Sequence, residues 1–127
     1  MTRNQKILVV DDSHEFVFLL TSLLKFHDVS VDSTEKPKEA LVKIKEDSYA
    51  LMITDYMMPE MNGLQLSQAV RQDLSHRKLK IILITAKDLD QNELDQINKL
   101  QLHYIKKPII PVELYQKILS LLEDAES

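Results

Sequence analysis

Asp11 and Asp12 close the apolar run Ile7-Leu8-Val9-Val10, and Asp55 follows the run from Tyr49 to Thr54. Thr85 ends Ile81-Ile82-Leu83-Ile84, and Lys107 comes just after His103 to Ile105. If these runs are parallel strands of one sheet, the five side chains meet outside the carboxyl ends of the strands, where open α/β sheets bind their ligands. Three carboxylates crowded together there repel one another unless a cation is present. A hard, oxygen-ligated ion relieves the repulsion, and Mg²⁺ suits a site with one or two direct carboxylates and several retained waters. Lys107 adds a positive charge and Thr85 a hydroxyl, the groups needed to hold a tetrahedral oxyanion beside the metal. The set reads as a phosphoryl-transfer site with a carboxylate as nucleophile.

The elements that must position these residues are legible from periodicity. Ile7 to Val10 is an uninterrupted apolar run rich in β-branched residues, the pattern of a strand buried on both faces. Phe16, Leu19, Leu20, Leu23 and Leu24 then recur at helical spacing. A weaker strand covers Val29 to Ser33. Pro37 fits the first turn of a helix whose apolar face is Ala40, Leu41 and Ile44. After the strand from Tyr49 to Thr54, Pro59 and the pair Asn62-Gly63, both strong turn formers, force the chain out of regular structure. Gly63 precedes a helix with Leu66, Ala69, Val70 and Leu74 on one face, ending near Asp73 to His76. Gln91 to Leu100 carries only the thin stripe Leu94, Ile97 and Leu100, which predicts a largely solvated helix. Pro111 opens a last helix with Leu114, Ile118, Leu121 and Leu122 inward. Five strands alternating with five helices give an α/β protein with a doubly wound sheet.

Composition narrows the function classes. The chain has 127 residues, 44% hydrophobic and 28% charged, which predicts one domain over 1–127 without linker or repeat. A net charge of −4 argues against holding nucleic acid by phosphate neutralisation alone. With no cysteine, thiolate catalysis and thiolate metal sites are excluded. The start from Met1 to Lys6 lacks a leader's apolar core and no apolar run could span a bilayer, so a cytoplasmic location is the default expectation. Gly63 is the only glycine, which excludes glycine-rich phosphate loops. His14, His27, His76 and His103 lack ligand spacing and are expected at the surface. Met52, Met57, Met58 and Met61 are expected in core and loop packing. One at a time the site residues have plainer uses. Asp11-Asp12-Ser13 suits a helix N-cap, Asp55 a loop, Thr85 a strand, Lys107 a solvated charge and Tyr104 simple packing. Their joint occurrence points to chemistry.

From Lys6 to about Glu123 the sequence resembles the receiver domains of two-component response regulators, chemotaxis-regulator-like members included. The resemblance is carried by Val9-Val10-Asp11-Asp12-Ser13, Thr54-Asp55-Tyr56-Met57-Met58-Pro59-Glu60-Met61-Asn62-Gly63, Ile84-Thr85-Ala86 and Tyr104-Ile105-Lys106-Lys107-Pro108. It implies a flavodoxin-like five-stranded parallel sheet of order 2-1-3-4-5 with five helices. It also implies that Asp55 accepts a phosphoryl group from the phosphohistidine of a sensor histidine kinase or phosphotransfer protein. Asp12 and Asp55 would bind Mg²⁺ directly, Asp11 through water, and the Met57 carbonyl would add a ligand. Lys107 would pair with the phosphoryl group, ahead of a cis Lys107–Pro108 bond. Thr85 would hydrogen-bond the phosphoryl group on activation, and Tyr104 would swing inward behind it. A protein partner would read the change on the face made by the Gln91 to Leu100 helix, the last strand and the last helix. Contact with nucleic acid or membrane is not expected, and the chain would be a monomer or a weak phosphorylation-dependent dimer.

Some positions depart from the family pattern. A usual Gly-Ala pair before the last strand reads Leu100-Gln101-Leu102-His103 here, and a common glycine after the first helix is missing from Phe26-His27-Asp28-Val29. Met57 and Lys87 occupy positions that tune dephosphorylation in the family. An apolar Met57 cannot orient an attacking water, which predicts a long-lived phosphoryl group. Two other readings are an interaction module of the same fold without phosphorylation, and a phosphohydrolase with an aspartyl nucleophile. The latter usually needs an acidic residue close after the nucleophile, and Tyr56-Met57 supplies none. The expected protein is a signalling module rather than an enzyme in the turnover sense.

Overall fold

A computed structural model of the chain describes residues 5–73 and 78–126, with side chains described as far as Glu123. Leu74, the expected end of its helix toward His76, and His76 itself lie outside the described residues. Strands Lys6–Val10 (β1), Ser30–Thr34 (β2), Leu51–Asp55 (β3), Lys80–Thr85 (β4) and His103–Lys106 (β5) alternate with helices His14–Phe26 (α1), Pro37–Glu46 (α2), Gly63–Gln72 (α3), Gln91–Lys99 (α4) and Pro111–Glu126 (α5). All strand pairs are parallel, in the order β2-β1-β3-β4-β5.

Alternate residues of the central strands enter two separate cores, as the period of two requires. Ile7, Val9, Leu51, Ile53, Ile82 and Ile84 pack with Leu20 and Leu24 of α1 and with Leu114, Ile118, Leu121 and Leu122 of α5. Leu8, Val10, Met52, Ile81 and Leu83 pack on the other face, against Ala40 and Ile44 of α2, Leu66 and Val70 of α3, and Ile97 of α4. Both faces are covered, which explains why β1, β3 and β4 read as continuous apolar runs. No helix among the described residues is long and apolar enough to cross a membrane.

Several local expectations change. Strand β2 starts at Ser30 rather than Val29, because the Val29 N–H is taken by the Leu24 carbonyl at 2.9 Å in the end of α1. Leu19, expected on the buried face of α1, is 50% exposed. Met57, expected in packing, is 62% exposed. His103 is half-buried rather than a surface residue, whereas His14 and His27 are exposed. His27 stacks on Tyr115 with ring centroids 4.0 Å apart. The places of the two missing glycines are taken by Asp28 (φ 60) and Gln101 (φ 57) in the left-handed conformation. At both, the next residue donates to the carbonyl five back, Val29 to Leu24 and Leu102 to Ile97, each at 2.9 Å. This is a Schellman ending, kept without its usual glycine. Arg71 braces the second one, its guanidinium donating to the carbonyls of Leu100 at 2.9 Å and Leu79 at 2.6 Å.

Candidate functional site

Sheet order creates the site. From β1 the chain moves to one side for β2, then returns to the other side for β3, so strand order reverses between β1 and β3. Val10 is paired with Thr54 across that gap, so Asp11 and Asp55 leave the sheet as neighbours. Asp55 pairs with Ile84, and Thr85 with Lys106, which sets Thr85 and Lys107 at the same edge. The Lys107 N–H donates to the Thr85 carbonyl at 2.8 Å. The Lys107–Pro108 peptide is cis.

Asp11, Asp12 and Asp55 each offer a carboxylate oxygen, and these oxygens lie within 4.8 Å of one another. Asp11 is buried to 1% exposure. Its Oδ1 accepts the Ser13 N–H at 2.9 Å, while its Oδ2 is buried with no hydrogen-bond partner. Removal from water pushes its carboxyl up to about 6; Asp55 and Asp12 add to the rise, and the Ser13 N–H and Lys107 oppose it. Lys107 Nζ lies 3.2 Å from Asp55 Oδ1 and 5.9 Å from the centre of the Phe16 ring. Among the described residues, three carboxylates facing one ammonium leave two negative charges uncompensated. A divalent cation matches that charge, and the orphaned Asp11 oxygen is the kind of atom that water bound to such an ion would satisfy. The residues present fit a Mg²⁺ site. Ser13, not either aspartate, is the N-cap of α1, accepting the Phe16 N–H at 3.3 Å. The capping use and the acidic cluster therefore coexist.

Thr85 is buried, and its hydroxyl oxygen accepts the Lys87 N–H at 2.9 Å. Tyr104 is 46% exposed and lines a shallow groove with Leu94, Ile97, Leu102 and Lys117, between α4 and α5. The loop after Asp55 holds an unusual turn. Met61 N–H donates to the Pro59 carbonyl at 2.7 Å, two residues back, with Glu60 between them at φ 70. That pairing belongs to the positive-φ γ-turn, which is rare and strained.

Gly63 has a different purpose from the one expected. Its φ is not positive, and it is the first residue of α3, capped by Asn62, whose side chain accepts the Gln65 N–H at 2.8 Å. A Cβ on Gly63 would sit 2.4 Å from the Asp55 carbonyl oxygen and 3.1 Å from Tyr56 Cα. The glycine lets α3 rest directly on the peptide of the residue facing the acidic cluster.

Sequence reasoning missed one group at this edge. Glu93, in the first turn of α4, is 5% exposed and accepts hydrogen bonds from the Tyr56 hydroxyl and from Lys87 Nζ. The pattern Asp90-Gln91-Asn92-Glu93 is that of a capping box and was legible. Its tertiary partners were not.

A family model described as the response regulator receiver domain matches residues 7–119. The transcriptional regulatory protein SrrA of Staphylococcus aureus is 30% identical over 124 residues, 98% of this chain and 50% of its own length. A CheY-like response regulator receiver domain protein from Methanospirillum hungatei superposes with a TM-score of 0.87 at 26% identity, covering 96% of each chain. A two-component response regulator from Clostridium difficile gives a TM-score of 0.87 at 25% identity, covering 98% of this chain and all of its own. The chain spans half or less of the length of the curated relatives it matches.

Proposed function

The chain belongs to the response regulator receiver domain family of two-component systems, and from that premise we propose that it is a Mg²⁺-dependent switch phosphorylated on Asp55. An Asp55 carboxylate oxygen forms the new bond to phosphorus as the bond to the donor histidine nitrogen breaks, and the imidazole leaves with the bonding pair. Lys107 Nζ, 3.2 Å from Asp55 Oδ1, is positioned to pair with the transferred group. Mg²⁺, held directly by Asp12 and Asp55 and the Met57 carbonyl and through water by Asp11, would neutralise charge on the phosphoryl oxygens. Thr85 then hydrogen-bonds the phosphoryl group and Tyr104 moves inward, shifting the population toward a state that a partner distinguishes. The exposed Met57 offers no group to orient a hydrolytic water, which favours a long-lived phosphoryl group.

The donor is a sensor histidine kinase or a phosphotransfer protein. The output is read by a protein on the α4, β5 and α5 face, where the groove beside Tyr104 lies. We read residues 1–127 as one receiver domain acting in the cytoplasm as a monomer or a weak phosphorylation-dependent dimer, without turnover of a separate substrate.

The single observation that carries this proposal is the meeting of three carboxylates with Lys107 at the point where strand order reverses. Intact mass after incubation with acetyl phosphate tests it, with and without Mg²⁺, on the native chain and on Asp55→Asn. One added phosphoryl group that requires both Mg²⁺ and Asp55 is the expected result. No gain from folded protein under any condition would replace it with an unphosphorylated interaction module.

A further inference from the structure

Glu93 ties three segments of the site together. Its Oε2 accepts from the Tyr56 hydroxyl and, at 2.6 Å, from Lys87 Nζ, and its Oε1 accepts from the Asp90 N–H at 2.9 Å. Tyr56 follows Asp55 directly, and Lys87 Nζ also lies 5.5 Å from the centre of the Tyr56 ring. Lys87 is in turn the residue whose N–H holds the Thr85 hydroxyl, at 2.9 Å. One carboxylate, 5% exposed, thus connects the neighbour of Asp55, the loop after β4 and the first turn of α4. Turning the Thr85 hydroxyl toward Asp55 requires it to part from the Lys87 N–H. Lys87 cannot shift far without stretching its ion pair, and water has little access to Glu93 to replace the lost partner.

We propose that Glu93 is a positioning residue for phosphoryl transfer: through Lys87 and Tyr56 it latches the Thr85 loop in the conformation described, and so slows phosphorylation of Asp55. The latch rests on the reading of Asp55 as phosphoacceptor. Glu93→Gln keeps the shape and the acceptor of the capping box but removes the charge that binds Lys87.

The test is the initial rate of phosphoryl gain from acetyl phosphate in Mg²⁺, for the native chain, Glu93→Gln, Lys87→Met and the double variant, with melting temperature recorded for each. The latch predicts a rate about fivefold higher or more in each single variant, on the scale of ordinary coupling between sites. It also predicts a double variant whose gain falls short of the product of the two single gains, because the two residues share one interaction. A merely structural Glu93 predicts the opposite, a rate that falls together with the melting temperature. If Glu93→Gln fails to fold, Lys87→Met alone decides, since it removes the same ion pair from the other side and keeps the main-chain N–H that holds Thr85. Rates equal to or below native in a chain that is itself phosphorylated overturn the latch alone. A native chain that gains no phosphoryl group overturns the receiver chemistry and the latch with it.

Discussion

Two buried carboxylates near the same sheet edge are held in opposite ways. Asp11 has one partner and one orphaned oxygen, so burial dominates and its carboxyl titrates near 6. Glu93 has three donors, and the bond from Lys87, reinforced by Tyr56 and the Asp90 N–H, brings its carboxyl down to about 2. Asp11→Asn removes a charge that burial disfavours and should therefore raise the stability of the metal-free chain by about 1–3 kcal/mol at neutral pH, the scale of a carboxyl raised from 3.8 to about 6. The proposed Mg²⁺ site predicts that Mg²⁺ raises the melting temperature of the native chain and raises that of this variant much less, and melting curves with and without Mg²⁺ measure both effects. For Glu93 the sign is the reverse. A carboxyl lowered from 4.5 to about 2 on folding contributes stability above pH 4.5 that is lost as the pH falls toward 2. In urea titrations across that range, native chain and Glu93→Gln should differ most above pH 5 and converge near pH 2.

Helix ends determine how the loops at the site are set. Asn62 with Gln65 and Asp90 with Glu93 form capping boxes at the starts of α3 and α4, both visible as sequence patterns. The ends of α1 and α4 are less favourable. Asp28 and Gln101 sit in a left-handed conformation that costs most L residues about 1–2 kcal/mol. Asp28→Gly and Gln101→Gly should each stabilise the chain, Gln101→Gly by about 1 kcal/mol and Asp28→Gly by less, since Asp tolerates this conformation. An increase in the urea midpoint at unchanged slope is the expected signature. The Arg71 bonds run to main-chain carbonyls and survive the change at Gln101.

At the scale of the molecule, one sheet carries two cores on opposite faces, so each core loses its floor if the other fails. Leu66 of α3 and Ile118 of α5, both fully buried, belong to different cores. Leu66→Ala should cost about 2–5 kcal/mol and Ile118→Val about 0.5–1.5 kcal/mol. Because the sheet lies between them, the double variant should cost their sum to within about 0.5 kcal/mol, in a single unfolding transition. Chemical denaturation followed by circular dichroism checks both the additivity and the single transition.

Continuous apolar runs between helical stripes in the sequence were enough to indicate five strands, five helices and the α/β class, because a strand covered on both faces is apolar throughout and a helix covered on one side repeats about every 3.6 residues. They also marked Asp11, Asp12, Asp55 and Thr85, polar groups that close buried runs, whereas Lys107 follows a strand that is only partly buried. What decides their meeting is long-range: pairing of β1 with both β2 and β3 puts Asp11 beside Asp55. Only tertiary structure could reveal why the single glycine is needed, because its close neighbour is a carbonyl oxygen eight residues earlier. The same holds for Glu93, whose local pattern announces a cap while its charge is satisfied by Tyr56 and Lys87 from two other segments. Local sequence carries periodicity and caps, whereas partners across the fold depend on strand order and register, which no window of neighbouring residues contains.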